Sequence, residues 1–203
     1  MTDEPGAAPH IRNSRGEGDR LRALIVSAAT ALVDGGTDAS TLSLRSIARA
    51  AGISAPSIYP HFASLDLVTA AMVNESFVEL RLQLATARDA APDPRAALVA
   101  ACAAYFDFGR SHVERYRAMF SPAGYGRESG TALKFLERML QDCVDEGSSD
   151  SVDVHGDAFV LWAAMHGMTT IPRPARTEDW RLGASDRNAL FTAMVGRIAR
   201  LRS

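Results

Sequence analysis

Lysine and cysteine are scarce in this sequence, and no hydrophobic run approaches the length of a membrane span. Lys134 is the only lysine, so arginine supplies almost all of the positive charge. The only cysteines, Cys102 and Cys143, fall in apolar stretches of helical periodicity. We expect them to be buried, reduced thiols, a redox-sensing pair being the alternative. With no apolar span and no hydrophobic segment at the N-terminus, we expect a cytoplasmic protein that does not engage a membrane.

Metal-binding and catalytic patterns are also missing from the sequence. None of the five histidines has a second histidine or a cysteine at the spacing of metal ligands. There is no nucleophile with a neighbouring base, no pair of carboxylates at a useful spacing and no phosphate-binding loop. We therefore expect no catalytic residue, no metal and no cofactor.

Length and charge further limit the class of protein to which this chain can belong. The chain has 203 residues, 47% of them hydrophobic, which is enough for one domain or for a small domain fused to a larger one. The formal net charge is −2, so the chain is not a globally basic coat for nucleic acids. Any binding to DNA must come from a local patch of positive charge.

Residues 43–62, SLRSIARAAGISAPSIYPHF, have the pattern of two short helices packed across a tight turn. The alanine is small where the helices approach, the glycine can adopt a positive φ, and the two isoleucines can close the contact. Each helix is preceded by a serine, Ser43 or Ser54, whose hydroxyl can cap free backbone N–H groups. The residues that carry the pattern are Ile47, Ala48, Gly52 and Ile58. The pattern predicts a helix-turn-helix that offers its second helix to the major groove of DNA.

The charge around this motif favours DNA over a purely structural hairpin. Residues 39–65 contain no Asp or Glu, whereas Arg45, Arg49 and His61 lie within them. An acid-free surface with hydrogen-bond donors suits the phosphate backbone, which dominates affinity for DNA. The alternative is a helical hairpin that only forms part of a core.

The flanking segments bring a resemblance to a known family. An amphipathic helix closed by glycines precedes the motif at 21–36, and another helix begins at 61–73 with HFASLDLVTAAMV. Residues 20–75 together resemble the DNA-binding domain of the tetracycline-repressor (TetR) family of bacterial regulators. Further along, LWAAMHGM at 161–168 is similar to the Trp-His-Gly motif of one ligand-binding subgroup of that family. Its matching residues are Trp162, His166 and Gly167.

The resemblance and the helical periodicity predict an all-α protein. We expect a disordered tail over 1–18, a three-helix helix-turn-helix domain over 19–66, and a larger helical effector-binding and dimerisation domain over 67–203. Helices are predicted over residues 20–34, 44–51, 55–61, 65–87, 94–111, 113–120, 131–145, 154–171 and 186–202. Loops are predicted at 121–130 and 172–185, with a linker at 147–151.

The resemblance assigns DNA-binding roles to eight residues: Thr41, Ser43, Arg45, Ala55, Pro56, Ser57, Tyr59 and His61. The arginine can reach a phosphate or pair with guanine in a bidentate manner, or it is simply a solvated charge. The last two of the eight anchor phosphates in the family. Two positions depart from the family pattern. Leu65 stands where a lysine often binds a phosphate, and Pro60 should kink or end the third helix.

The larger domain is expected to hold a mostly apolar small molecule and to form a homodimer. Its ligand-binding residues are predicted to be Phe106, Met119, Trp162 and His166. The histidine is the one polar residue of 160–168, so it needs a partner, either a ligand atom or, alternatively, a backbone carbonyl. The dimer is predicted to form through the last two helices. The apolar stripe of the final helix comprises Leu190, Phe191, Met194, Ile198 and Leu201.

The expected function is that of a ligand-responsive transcriptional regulator, most often a repressor, which a small molecule releases from a double-stranded DNA operator. Two other classes stay open. One is an all-α small-molecule-binding protein or enzyme without DNA binding, and the other is an architectural DNA-binding protein without a ligand.

Overall fold

The computed structural model describes residues 15–121, 127–170 and 184–202, and this part of the chain is α-helical. The α-helices are α1 Arg15–Asp34, α2 Leu44–Ala50, α3 Leu65–Asp89, α4 Pro94–Ser111, α5 Val113–Met119, α6 Arg127–Glu146, α7 Val154–Thr170 and α8 Ala184–Ile198. Two short 3₁₀ helices lie at Ala39–Thr41 and Ala55–Ile58. The described residues include no β-strand, and the all-α prediction is confirmed. None of the described helices is long and apolar enough to cross a bilayer.

The helix-turn-helix forms as its residue pattern predicts. The side chains of Ile47, Ala48 and Ile58 are buried between α1, α2 and the second 3₁₀ helix. Gly52 has a φ of 68°, the left-handed conformation that a residue with a Cβ adopts only at a cost. Ser43 caps α2 in a reciprocal arrangement with Ser46, in which each side chain accepts a hydrogen bond from the other residue's backbone N–H.

The second serine does not cap its helix, and the third helix is shorter than predicted. Ser54 makes no capping hydrogen bond, because its hydroxyl lies 2.7 Å from the hydroxyl of Ser57 instead. The 3₁₀ helix ends at Ile58, and not at residue 61, because Pro60 has no N–H to continue the ladder. The amide N–H groups of residues 61 and 62 still donate to the carbonyl of Ile58, so the chain stays in a turn.

Three helices begin earlier than the sequence-based prediction places them, α3 ends two residues later than predicted, and α8 ends at Ile198 and not at residue 202. Helix α1 begins at Arg15, so the last four residues of the predicted tail are helical, and residues 1–14 lie outside the described residues. Helix α6 begins at Arg127, inside the predicted loop, since one glycine costs a helix only about 1 kcal/mol. Helix α8 begins at Ala184, so Asp186 lies in its first turn and does not cap it.

Helices α3, α4, α6 and α7 form the centre of the larger helical part. The closest approach is at Gly109 on α4. A Cβ placed there would lie 2.3 Å from Cγ2 of Thr169 on α7 and 2.9 Å from the ring of Tyr116 on α5. Only a glycine lets the three helices meet at this distance. The two cysteines are buried free thiols, as expected, and burial raises the pKa of Cys102 to about 12 and that of Cys143 to about 11.

The predicted linker at 147–151 is bound to the end of the chain. The Ser149 hydroxyl donates to the carbonyl of Ala199 at 2.7 Å, and the two segments exchange backbone hydrogen bonds. Arg202 pairs with the carboxylate of Asp150. Composition alone predicted a linker, but these contacts attach the C-terminal end of α8 to the segment that follows α6.

The apolar stripe of α8 is divided between the protomer's own core and its surface. Phe191 is buried, and its ring stacks on that of Phe106 with centroids 4.7 Å apart. Leu190 is 47% exposed. The prediction that the whole stripe faces a second copy is therefore wrong for Phe191, which packs within its own chain.

Candidate DNA-binding surface and effector cavity

Helix α2 presents two arginines away from the core. Ile47 and Ala48 are buried, so Arg45 and Arg49, one helical turn apart, project from the opposite face. Both are exposed, and neither forms a hydrogen bond or an ion pair within residues 15–121, 127–170 and 184–202. Two guanidinium groups on an acid-free surface are thus available for phosphate or guanine contacts.

The second 3₁₀ helix offers a rigid and exposed edge beside these arginines. Pro56 is exposed, Ala55 and Ser57 are half-buried, and Tyr59 is 59% exposed. Proline fixes its own φ, so little conformational freedom is left to lose when this edge meets DNA. A phenolic hydroxyl that is this exposed can donate a hydrogen bond to a phosphate.

The remaining predicted DNA-binding residues lie around the same module. The hydroxyl of Thr41 donates to the Asp38 carbonyl at 2.8 Å, and that of Ser43 is used in capping α2. His61 is half-buried and lies beside Gly18 of α1. Arg49 was not among the predicted DNA-binding residues, although the absence of acidic neighbours marked it as a candidate.

An apolar cavity of about 20 Å³ lies between α3, α4, α6 and α7. Its wall includes Leu84, Ala101, Tyr105, Phe135, Met139 and Trp162. The polar groups carried by the lining residues are the Tyr105 hydroxyl, the Trp162 indole N–H and the Cys102 thiol. A space of this size accepts about one water molecule, so an organic ligand would have to move the lining side chains apart.

Three polar side chains form a connected chain next to this cavity. The hydroxyl of Tyr116 lies 2.7 Å from that of Tyr105 and 2.7 Å from Nδ1 of His166. The imidazole also stacks on Trp162, with centroids 5.9 Å apart. Partial burial lowers the pKa of His166, which favours the neutral imidazole at pH 7. Its partner at Nδ1 is a tyrosine, and not the backbone carbonyl of the alternative considered from the sequence.

The four predicted ligand-binding residues are only partly brought together. Trp162 lines the cavity, and His166 reaches it indirectly through the two tyrosines. Phe106 and Met119 are buried elsewhere in the core and do not line it. Apolar periodicity identified the residues whose side chains face inward. It could not show which of these side chains line a cavity and which pack closely against one another.

A charged cluster joins α5 to the DNA-binding part of the chain. The side chain of Arg115 is only 4% exposed. Its Nε lies 2.7 Å from the carboxylate of Asp34 at the end of α1, and its Nη1 lies 2.5 Å from that of Glu79 on α3. His112 also approaches Asp34, at 3.3 Å. Arg115 directly precedes Tyr116, so α5 contacts the polar chain beside the cavity and the end of α1 with consecutive residues.

No group of three His, Cys, Asp or Glu side chains in the described ranges is placed to hold a metal ion. The cationic face of α2 and the apolar cavity are two candidate binding sites in the described part of the chain.

Two family profiles match this chain. Residues 24–71 match the profile described as bacterial regulatory proteins, tetR family. Residues 98–198 match the profile of the tetracyclin repressor-like C-terminal domain. The first match includes the helix-turn-helix, and the second includes most of the residues around the cavity.

Solved structures share the fold. A transcriptional regulator of the TetR/AcrR family from Thermobifida fusca YX-ER1 is 21% identical, with a TM-score of 0.69 over 87% of this chain and 96% of that one. A protein of unknown function from Rhodococcus sp. RHA1 is 24% identical, with a TM-score of 0.72 over 97% and 100% of the two chains. AibR in complex with isovaleryl coenzyme A and operator DNA is 17% identical, with a TM-score of 0.63 over 90% and 100%.

Proposed function

The chain belongs to the tetracycline-repressor (TetR) family of bacterial transcriptional regulators, and on that premise we propose that it is a repressor which a small apolar molecule releases from its operator. Members of the family are DNA-binding proteins that respond to ligands. They act by binding and not by catalysis, and we propose the same for this chain, in the cytoplasm. Membership of the Trp-His-Gly subgroup remains a prediction.

The observation that carries the DNA-binding proposal is the surface of α2. Arg45 and Arg49 are exposed on an acid-free face, and the packing of α2 against the second 3₁₀ helix holds the exposed edge at Pro56 beside it. The arginines supply affinity through the phosphates and, at Arg45, contact with a base edge. Two copies in a dimer would present two such surfaces to a symmetric operator.

We propose that the dimer forms through the outer faces of α7 and α8. Phe159 and Val160 on α7 and Leu190 on α8 are each about half exposed. The buried large apolar side chains of the two helices are Leu161, Met165, Phe191 and Val195. The interface would cover this apolar surface in a two-fold arrangement.

The effector is proposed to bind at the apolar cavity. Because the cavity is small, a ligand of several carbon atoms must displace its walls and therefore the helices that carry them. The complex of AibR with isovaleryl coenzyme A and operator DNA supports a ligand-responsive role for this fold. The ligand proposed for this chain follows from its own lining, which is aliphatic and aromatic apart from the Tyr105 hydroxyl, the Trp162 indole N–H and the Cys102 thiol.

Helix α5 is proposed to couple the two sites. Tyr116 belongs to the polar chain beside the cavity, and Arg115 binds Asp34 on α1 and Glu79 on α3. A displacement of α5 by the ligand would change these ion pairs, so the ligand and DNA would favour different arrangements of the same element.

The DNA-binding proposal is tested with a labelled duplex from the region upstream of the gene and a scrambled duplex of equal length. Arg45→Ala should weaken specific binding by roughly 1–3 kcal/mol, about fivefold or more, if it contacts a base. Arg138→Ala, which removes an exposed arginine of α6, is the matched control and should bind as the wild type does. Equal binding of both duplexes by the wild type, unchanged by Arg45→Ala, would contradict the proposal.

A further inference from the structure

A second compartment opens at the surface beside the apolar cavity. We call it the vestibule. It has a volume of about 310 Å³, and its lining includes Arg88, Asp93, Pro94, Ala97, Met139 and Asp142. Unlike the cavity, it carries charged side chains and lies where α3 turns into α4 against α6.

The cavity and the vestibule share three helices and are displaced by about one turn along each. On α3 the cavity is lined by Leu84 and the vestibule by Arg88. On α4 the corresponding residues are Ala101 and Ala97. Residues four apart lie on one helix face about 6 Å apart along the axis. The two compartments are therefore successive sections of one path between the same helices.

Met139 of α6 is the residue common to both linings. Its side chain is buried, and it stands between the apolar section and the charged one. Methionine is unbranched and has three rotatable bonds, so it can swing aside at little cost. The guanidinium of Arg88, which lines the vestibule, lies 5.3 Å from the ring centre of Phe135, which lines the cavity, so the two compartments also adjoin at this pair.

We propose that the vestibule is the route by which the effector reaches the cavity, with Met139 as its gate, and that the effector is an amphiphile. Its apolar chain passes Met139 into the cavity, and its head group remains in the vestibule. This inference rests on the proposed effector site, but it adds the path, the gate and the chemistry of the head group.

The charges of the vestibule select a head group that is neutral or cationic. Arg88 is the only cation of its lining, and its Nε is already 2.7 Å from the carboxylate of Asp89. Asp93 and Asp142 add two further carboxylates. The lining therefore has two carboxylates and one guanidinium, and that guanidinium is already paired with Asp89 outside the lining. An anionic head group is repelled there, whereas an alcohol or an ammonium group is accepted.

The first experiment locates the apolar chain in the Trp180→Phe variant, in which Trp162 is the only tryptophan. The probes are ω-bromododecanol, ω-bromododecylamine and ω-bromododecanoate, whose terminal bromine quenches an indole only at contact. The alcohol and the amine should quench Trp162, and the carboxylate should bind about tenfold more weakly. Equal binding of all three probes would overturn the assignment of the head group.

The second experiment tests the gate by stopped-flow quenching with ω-bromododecanol. Met139→Phe, bulkier and stiffer, should slow association about tenfold, and Met139→Ala should accelerate it. Met72→Ala is the matched control, because it shortens a buried methionine of α3 that lines neither compartment. Met139→Leu, which nearly conserves volume, replaces the alanine variant if the latter does not fold.

The outcomes separate the path from the effector site. Quenching of Trp162 with the same association rate in the wild type and all Met139 variants would overturn the gate and leave the cavity as the effector site. Absence of quenching by every probe, in a protein that still binds its operator, would overturn the cavity as the effector site and the path with it.

Discussion

Replacing Gly109 by alanine should destabilise the protein, although alanine is the better helix former. The added Cβ would lie 2.3 Å from Cγ2 of Thr169, about 1.2 Å closer than the shortest favourable contact between carbon atoms. Rotating Thr169 away would break the hydrogen bond that its hydroxyl donates to Met165, at 2.8 Å. The Tyr116 ring, 2.9 Å from the added Cβ, is held by its own hydrogen bonds.

The expected loss of stability follows from two costs and one gain. Overpacking of a core costs about 1–3 kcal/mol, a lost hydrogen bond about 1 kcal/mol, and removing a glycine from a helix returns about 1 kcal/mol. Gly109→Ala should therefore lower the free energy of unfolding by about 1–3 kcal/mol, or Tm by roughly 2–4 °C per kcal/mol. Urea denaturation followed by circular dichroism measures the first quantity directly.

A matched control and a second substitution make the result specific. Gly18→Ala places the new Cβ no closer than 3.9 Å to His61, so it should leave stability unchanged or raise it slightly. Thr169→Ser removes the obstructing methyl group and keeps the hydroxyl, so in the double variant it should restore part of the loss at Gly109. A Gly109→Ala protein as stable as the wild type, or a loss that Thr169→Ser does not reduce, would refute this account of the helix contact.

Four further predictions concern other parts of the chain. Ala48→Leu should overpack the helix-turn-helix and cost about 1–3 kcal/mol in urea denaturation, and unchanged melting and DNA binding would contradict the assignment. Val160→Asp, at a side chain that is 53% exposed, should give monomers in light scattering, and a persistent dimer would place the interface elsewhere. Burial lowers the pKa of His166 below 6.5, so protonation favours the unfolded state, and the free energy of unfolding should fall as the pH drops below about 6.5. That fall should be shallower in His166→Asn, and identical pH profiles would refute the account. Asp34→Asn should weaken the ion pair with Arg115 and reduce the effect of the effector on DNA affinity by about 0.5–2 kcal/mol, as measured by fluorescence anisotropy.

The helix-turn-helix could be predicted from the sequence because its determinants are local. The burial of Ile47 and Ile58, the left-handed Gly52 and the cap at Ser43 all follow from residue type and short spacing. Pro60 likewise indicated where the third helix would end. The prediction that Ser54 caps a helix was wrong, because its hydroxyl forms a hydrogen bond with the hydroxyl of Ser57 instead. The preference of serine for the cap position does not take such a competing partner into account.

The cavity and the charged cluster could not be predicted, because each depends on contacts between distant segments. Phe106 faces inward as its periodicity indicates, but Phe191 fills the space in front of it. Trp162 faces inward too, and there the neighbouring helices leave a gap. The position of Arg115 in its helix predicts neither its burial nor its pairing with Asp34. The boundary predicted after residue 66 falls in the first turn of α3, and it stays a prediction.

Helix α3 connects the helix-turn-helix rigidly to the surroundings of the cavity. Its 25 residues contain no proline and no glycine, so it is one unbroken rod about 37 Å long. One end, at Leu65, follows directly on the helix-turn-helix, and the other carries Arg88 beside the vestibule. A tilt of about 5° around the cavity end would move the far end by about 3 Å. In a two-fold dimer the Leu65 ends of the two α3 helices would move in opposite directions. A ligand of a few atoms could therefore change the distance between the two helix-turn-helix motifs, so that they no longer match the spacing of the operator.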